Sequence, residues 1–192
     1  MINIFLIRHG KASSGWNSLD PALDNFGKKQ SKELAKKLLN YSLESYDLFS
    51  SPLLRCKQTS KPFRLLCNKD ITIEDRVSEI PSPISDLSKR VIWLKRVLPL
   101  NWNELIDDKD SIASGLDYNL WRSGIIDFLY SLKSDTFIFT HFVVINSIVS
   151  FLNKSEKVIF FNPDNTSITH LTLDKEILKI ISLGKESITK VN

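Results

Sequence analysis

The amino-acid sequence predicts an α/β fold with a largely parallel central sheet. Short apolar runs rich in β-branched and aromatic residues alternate along the chain with longer segments whose apolar residues recur at helical spacing. This alternation is typical of strands joined by helical crossovers. The chain has 192 residues, of which 42% are hydrophobic and 25% charged. That composition supplies one sizeable core, and we expect a single domain spanning 1–192.

The first predicted strand shows the pattern most clearly. Residues 2–7 form an apolar run that stops at Arg8, as expected of a strand buried on both faces of a parallel sheet. The other predicted strands are 47–50, 71–73, 136–140, 167–173 and 177–183. Asp174-Lys175 is predicted to form the hairpin turn between the last two.

The predicted helices have an apolar face and a polar face. They cover 30–40, 53–67, 86–98, 116–132 and 142–152. Pro62 predicts an interruption of the second helix, because proline removes a backbone donor. Leu120 is expected to face inward from the fourth. Trp93 and Trp121 are expected in the core or at helix contacts.

The segment 77–115 departs from this alternation. It begins with a loop that contains Pro81 and Pro83, and it is polar from residue 101 onward. We expect 101–115 to be irregular, and we interpret 77–115 as a candidate inserted lid or substrate-specificity region.

Composition and charge argue against several classes of protein. The formal net charge is only +4 and the lysines are scattered, so we expect no nucleic-acid binding. The N-terminus lacks the basic region and cleavage site of a signal peptide, and no stretch is long and apolar enough to span a bilayer. Cys56 and Cys67 form no metal-ligand pattern and are expected to be buried free thiols. We therefore expect a cytoplasmic protein without a metal site.

Two of the three histidines directly follow predicted buried strands. His9 follows 2–7, and His141 follows 136–140. Ligands bind at the carboxyl ends of the strands in an open α/β sheet, so the two imidazoles can face one pocket if their strands are neighbours. His170 lies within a strand and is interpreted as structural.

Two arginines accompany these histidines. Arg8 precedes His9, and Arg55 follows the strand that ends near Ser50 and opens a helix. The planar guanidinium donates paired, charge-assisted hydrogen bonds to phosphate. Each residue alone is a weak signal, but together they predict an anion-binding site at one edge of the sheet, in which a histidine can act as a covalent nucleophile.

Several segments resemble the histidine phosphatase superfamily, also called the phosphoglycerate-mutase-like family. The most specific is 50–59, Ser-Ser-Pro-Leu-Leu-Arg-Cys-Lys-Gln-Thr, which is similar to the family pattern Ser-Ser-Pro-Leu-x-Arg-x-x-x-Thr. The others are 5–10 with its Arg-His-Gly triplet, 21–30, 140–141 and 165–168. The resemblance covers most of the chain.

The resemblance implies a three-layer α/β/α fold and a phosphoryl-transfer mechanism that needs no metal and no cofactor. His9 would attack phosphorus and form a phosphohistidine. Arg8, Arg55 and His141 would bind the phosphoryl oxygens and stabilise the charge that develops on them.

The resemblance also implies a proton donor for the leaving oxygen. Glu79, in Val-Ser-Glu at 77–79, occupies a place similar to the family's Leu-x-Glu segment after the third strand. A solvent-exposed loop glutamate is the competing interpretation. Asp86 and Asp24 are the fallback candidates for this role.

Four positions depart from the family pattern. Lys11 stands where the family often has Glu or Gln. Asn17 lies two residues further from the first histidine than the family's asparagine, so we assign it no role. Phe142-Val143 replaces common glycines and predicts a bulkier pocket wall. Residues 80–83 replace the stretch after the acid that often shapes substrate choice.

The sequence leaves four functions open. The favoured one is a phosphatase acting on a small phosphorylated substrate. A cofactor-dependent phosphoglycerate mutase is disfavoured by the short chain and the missing motif after the acid. A protein phosphohistidine phosphatase is suggested by 11–13 but commonly lacks the acid. An inactive binding module is disfavoured because both histidines and both arginines are present. Neither the physiological substrate nor the oligomeric state is predicted.

Overall fold

The structure confirms the predicted α/β class with a mostly parallel sheet. The computed structural model describes residues 1–13, 18–41 and 45–187. Its strands are β1 Ile2–Arg8, β2 Asp47–Ser50, β3 Thr72–Ile73, β4 Thr136–Thr140, β5 Ile168–Asp174 and β6 Ile177–Ser182. Within the described residues they form one sheet in the order β3-β2-β4-β1-β5-β6. The β1–β4, β2–β4 and β2–β3 pairs are parallel, whereas β5 and β6 form an antiparallel edge.

Helices cover both faces of the sheet. They are α1 Asn25–Leu38, α2 Leu54–Cys67, α3 Leu87–Val97, α4 Trp102–Ile106, α5 Lys109–Ser114, α6 Tyr118–Ser131 and α7 Phe142–Leu152. Successive side chains of a strand point to opposite faces. Accordingly, Ile4 and Leu6 of β1 pack with α6 and α7, whereas Phe5 and Ile7 pack with α1 and α2. The result is a three-layer α/β/α arrangement.

Two helices on one face differ from the prediction. Helix α1 begins at Asn25, five residues early, because the Asp24 side chain caps it by accepting the Gly27 N–H at 2.6 Å. Helix α2 continues through Pro62, so the predicted interruption is wrong. Proline within a helix costs about 3 kcal/mol. A fully buried side chain such as that of Phe63 contributes a comparable 1.5–3 kcal/mol, roughly.

The predictions for 101–115 and for Leu120 are also wrong. Residues 101–115 contain α4 and α5, which are too short to show an apolar stripe and are defined by their caps, including a capping box between Asn101 and Glu104. Leu120 is 69% exposed. Leu120 lies nine residues before the buried Leu129, which places the two side chains about half a revolution apart on the helix. Because Leu129 packs in the core, Leu120 points outward.

The segment 77–115 packs through a core that it shares with α6 and the start of α7. Trp93 and Trp102 are buried there against Tyr118 and Val143. This cluster places α3 beside the carboxyl end of β4. That 77–115 acts as a lid or specificity region stays a prediction.

Both cysteines are free. Cys56 is buried as predicted, but Cys67 is only half-buried, because it ends α2 at the rim of the helix layer. Across the described ranges, every helix is too short or too polar to cross a membrane.

Candidate active site

His9 and His141 meet at the carboxyl end of the parallel part of the sheet. Strands β1 and β4 are neighbours, with Arg8 paired to Thr140. The His9 amide donates to the Thr140 carbonyl at 3.0 Å, which continues the ladder beyond the strands. The centroids of the two imidazole rings are 5.3 Å apart, with the rings edge to face. The strand adjacency on which the sequence-based hypothesis depended is therefore present.

The hydrogen bonds of His9 define which ring nitrogen is available for chemistry. Its Nδ1 lies 2.7 Å from the Gly10 carbonyl oxygen, which can only accept, so Nδ1 has the proton. Nε2 then presents a lone pair, and the Arg55 Nε–H donates toward it at 3.2 Å. Burial, with the charges of Arg55 and Arg8, lowers the pKa of His9 well below its ordinary value. The imidazole is thus neutral near pH 7, as a nitrogen nucleophile must be.

Two glycines allow the loop after His9 to pass close to helix α1. The Gly10 amide donates to Thr59 Oγ1 at 2.9 Å, and a Cβ at Gly10 would lie 2.9 Å from the Gly27 carbonyl oxygen. A Cβ at Gly27 would overlap the Lys11 carbonyl oxygen. Backbone crosses backbone at this point, which only glycine permits.

Replacing Gly27 with alanine is expected to lower the free energy of unfolding by about 1–3 kcal/mol, because the clashing atom is backbone and cannot rotate away. Urea unfolding would measure this. Gly124→Ala is the matched control: its Cβ would meet nothing closer than 4.0 Å in α6. Alanine there should instead raise stability by about 0.5–1 kcal/mol. An unchanged unfolding midpoint for Gly27→Ala would contradict this account.

Arg55 is positioned by the start of α2 and by an acid that the sequence did not single out. Arg55 is the second residue of the helix and is buried. Its Nη1 lies 3.6 Å from Oδ1 of Asp20, whose carboxylate also accepts the Leu54 amide at 2.8 Å. Asp20 therefore ties the 18–20 loop to both the helix N-terminus and the guanidinium. No sequence motif marks it, because the contact spans 34 residues.

Arg8 is bound on several sides. Its Nη1 donates to the Pro163 carbonyl at 2.7 Å, and its guanidinium lies 4.8 Å from the centre of the Phe142 ring. Burial lowers the pKa of Arg8 to about 10, with Arg55 adding to that effect and Glu79 opposing it. Arg8 remains charged at neutral pH. The bulky Phe142, expected as a pocket wall, contacts Arg8 directly.

Glu79 lies at the N-terminus of α7. Its Oε1 accepts the Ile80 amide at 3.0 Å and the Val143 amide at 3.1 Å. Burial raises the pKa of Glu79, and the charges of Arg55 and Arg8 oppose that shift. The same two arginines thus act on Glu79 and on His9. The interpretation of a solvent-exposed loop glutamate does not fit this half-buried, hydrogen-bonded carboxyl.

The two fallback acids have other structural roles. Asp24 caps α1 and pairs with Lys11 at 3.4 Å. Asp86 caps α3 by accepting the Lys89 amide at 2.9 Å. Hydrogen bonds lower the pKa of each carboxyl, so neither is suited to donate a proton at neutral pH.

His141 is fully buried. Its Nε2 lies 2.7 Å from Ser51 Oγ and 3.3 Å from Cys56 Sγ. Burial, together with the charges of Arg55 and His9, lowers the pKa of His141 well below its ordinary value. The ring is neutral and has one N–H to donate.

A third arginine near the site was missed by the sequence interpretation. Arg90, in the second turn of α3, is half-buried. Burial lowers its pKa, the charge of Arg55 lowers it further, and Glu79 raises it, so its guanidinium lies within electrostatic range of both. Across 1–13, 18–41 and 45–187 that guanidinium forms no hydrogen bond or ion pair. In the sequence, Arg90 is one of several basic residues on α3 and gives no distinguishing signal.

Two further predicted positions can be placed. The segment 165–168 contacts the site, because the Asn165 side chain donates a hydrogen bond to the His9 carbonyl at 3.0 Å. His170 lies in β5, stacked on Phe5 with Nε2 2.9 Å from Asn3 Oδ1, which is consistent with a structural role. Asn17 lies outside the described residues.

The chain is similar to known proteins in sequence and in fold. The chain is 38% identical over 87 residues to phosphoserine phosphatase 1 of Hydrogenobacter thermophilus, a match that spans 42% of this chain and only 39% of that relative. The fold is similar to phosphoserine phosphatase of Entamoeba histolytica solved with 3-phosphoglyceric acid (TM-score 0.71, 19% identity, 96% of this chain and 98% of that one). It is also similar to phosphoglycerate mutase of Bacillus anthracis (TM-score 0.74, 16% identity, 95% and 92%).

The family model of the histidine phosphatase superfamily, branch 1, matches residues 4–185. That range includes every side chain described above at the sheet edge. The chain belongs to branch 1 of the histidine phosphatase superfamily.

Proposed function

We propose that this protein is a phosphatase that hydrolyses small phosphomonoesters through a phosphohistidine intermediate on His9. The main supporting observation is the neutral His9 ring, with its proton on Nδ1 toward Gly10 and its Nε2 lone pair beside Arg55. A nucleophile presented next to a guanidinium matches what attack on a phosphoryl group requires.

The reaction proceeds in two displacements. In the first, His9 Nε2 attacks phosphorus, the bond from phosphorus to the ester oxygen breaks, and Glu79 gives its proton to that oxygen. In the second, water attacks the phosphohistidine, Glu79 takes a proton from the water, and the P–N bond breaks to release inorganic phosphate. Glu79 ends the cycle protonated and His9 neutral, as both began.

The charge on the transferring group is stabilised by fixed donors. Arg8 and Arg55 are each anchored to other parts of the chain, to the Pro163 carbonyl and to Asp20 respectively. Because their positions are set before substrate binds, little reorganisation is needed in the transition state. His141 contributes its single N–H.

Glu79 favours phosphomonoesters over phosphoramidates. An alkoxide is a poor leaving group that needs a proton, whereas a phosphohistidine leaves readily without one. A carboxyl with a raised pKa, bound by two amides, suits the former substrate. This is the reason to prefer the phosphomonoesterase to the phosphohistidine protein phosphatase.

Arg90 supports a substrate with a second negative charge. The half-buried Arg90, near Arg55 and Glu79, can bind a carboxylate on the alcohol part of a phosphate ester. Phosphoserine, named for two of the similar proteins, is a molecule of this kind.

Arg90→Gln is expected to raise KM for phosphoserine about tenfold to a hundredfold, which corresponds to a lost charged hydrogen bond. Phenyl phosphate, which has no carboxylate, should be hydrolysed with little change. Arg96→Gln is the matched control on the same helix, because Arg96 pairs with Asp108 on the surface. Equal effects of Arg90→Gln on both substrates would refute a carboxylate contact.

The intermediate can be tested by quenching the protein in alkali during turnover and mapping the phosphoryl group by mass spectrometry. We expect an alkali-stable, acid-labile phosphoryl group on the peptide that contains His9. Hydrolysis without such an intermediate, or label on another residue, would refute the mechanism. Stimulation by a bisphosphoglycerate, with isomerisation of a phosphoglycerate, would instead identify a mutase.

A further inference from the structure

We propose that Ser51 is a positioning residue that fixes His141 in the tautomer protonated at Nδ1, so that His141 can donate a hydrogen bond to the phosphoryl group. The inference depends on the proposed phosphatase function only for its kinetic consequence. The tautomer itself is a property of the free protein.

The contact between the two side chains is short and completely buried. Ser51 Oγ lies 2.7 Å from His141 Nε2, and both residues are fully inaccessible to solvent. Without water, a neutral imidazole must satisfy each ring nitrogen from protein groups or from bound substrate. Ser51 Oγ is the nearest partner of Nε2, whereas Nδ1 is approached by Cys56 Sγ at the longer distance of 3.8 Å. Nδ1 is therefore the nitrogen available to the phosphoryl group.

The remaining hydrogen bonds decide the direction of the Ser51–His141 contact. Ser51 Oγ already accepts the Leu53 amide at 3.3 Å, and its own proton needs an acceptor. Among the described residues, the alternative acceptor is Cys56 Sγ, a weak acceptor whose own thiol donates to the Thr140 carbonyl at 3.4 Å. Donation from Ser51 to His141 Nε2 satisfies all of these groups, whereas the reverse leaves a buried hydroxyl proton with only a sulfur.

The direction matters for catalysis. With the proton on Nδ1, His141 presents a donor to a phosphoryl oxygen. With the proton on Nε2, it would present a lone pair toward negative oxygens, which is repulsive. Ser51, the second serine of the 50–59 segment, thus acts on the substrate through His141 rather than by touching it.

The tautomer can be read directly by ¹⁵N–¹H correlation of the imidazole nitrogens in the free protein. The three histidines of the chain make assignment by single substitution practical. We expect wild-type His141 to be protonated at Nδ1. Ser51→Ala should convert it wholly or partly to the Nε2-protonated form, lower kcat about tenfold to a hundredfold, and weaken binding of inorganic phosphate.

Three variants keep the test sharp. Ser51→Cys, close in size but a poor donor, should shift the tautomer even if Ser51→Ala fails to fold. Ser50→Ala removes a neighbouring buried hydroxyl that donates to the Ser51 carbonyl at 2.9 Å, and it should leave the tautomer unchanged. Cys56→Ala examines the other group beside Nε2.

The proposal is overturned if wild-type His141 is protonated at Nε2, if neither Ser51 variant moves the tautomer, or if Cys56→Ala moves it instead. Failure of the proposed function looks different. A wild-type protein with the expected tautomer but no phosphatase activity would refute the function and leave the Ser51 assignment intact.

Discussion

Replacing His9 with alanine is expected to lower kcat by roughly 10⁴–10⁶-fold, the range seen when a covalent nucleophile is removed. His9 Nε2 presents a lone pair on a neutral ring and lies 3.2 Å from Arg55 Nε. The measurement is hydrolysis of an aryl phosphate and of phosphoserine under single-turnover and steady-state conditions.

His170→Gln is the matched control, because it changes a histidine that stacks on Phe5 within the sheet and contacts Asn3. It should retain activity within a few-fold. Turnover of His9→Ala above one-hundredth of the wild-type value, roughly, would mean that another group attacks phosphorus.

Glu79→Gln is expected to lower kcat for phosphoserine by about 10²–10⁴-fold, the usual contribution of a general acid. An aryl phosphate with a good leaving group should be much less affected in its first displacement, because the departing phenolate needs no proton. Glutamine keeps an oxygen that can accept the Ile80 and Val143 amides, so the change removes the proton rather than the contacts.

The pH dependence provides an independent check. The acid must be protonated, so phosphoserine hydrolysis should fall as pH rises through the raised pKa of Glu79. That alkaline limb should be absent in Glu79→Gln. Glu74→Gln is the control: Glu74 pairs with the exposed Arg76, and this partner lowers the pKa of Glu74. An unchanged alkaline limb in Glu79→Gln would exclude Glu79 as the acid.

The same carboxyl should lower the stability of the protein at neutral pH. The folded-state pKa of Glu79 lies above its ordinary value of 4.5, so the native state binds more protons between those two values and loses stability as pH rises through that window. Glu79→Gln should therefore have a higher unfolding midpoint than wild type at pH 7 and a similar one at pH 4. A lower unfolding midpoint of Glu79→Gln than of wild type at pH 7 would show that the charge of Glu79 is compensated in the folded protein.

The elements that sequence predicted best are those with the simplest burial. Strands β1 and β4 are buried on both faces, so an unbroken apolar run defined each of them. The prediction failed where local signals were overridden or too short to read. Helix α2 continues past Pro62 because its apolar side chains pack against the sheet. Helices α4 and α5 are defined by their caps and are too short to show periodicity.

The candidate site divides in the same way. His9, His141, Arg8 and Arg55 could be proposed from strand ends and from one specific segment, because the carboxyl edge of a parallel sheet is where such side chains converge. Asp20, Arg90 and the direction of the Ser51 hydrogen bond could not. They depend on contacts between distant parts of the chain that have no local pattern.

By itself, the sequence determined the α/β class, the family resemblance and the identity of the strand-end histidines, since these follow from periodicity and from contiguous motifs. Only the tertiary structure decided the chemistry of those histidines. The Gly10 carbonyl and the Arg55 guanidinium select the free nitrogen of His9, and burial among like charges keeps it neutral. Charge states and tautomers depend on which groups surround a ring in space, and that arrangement arises when β1, β4 and α2 pack together.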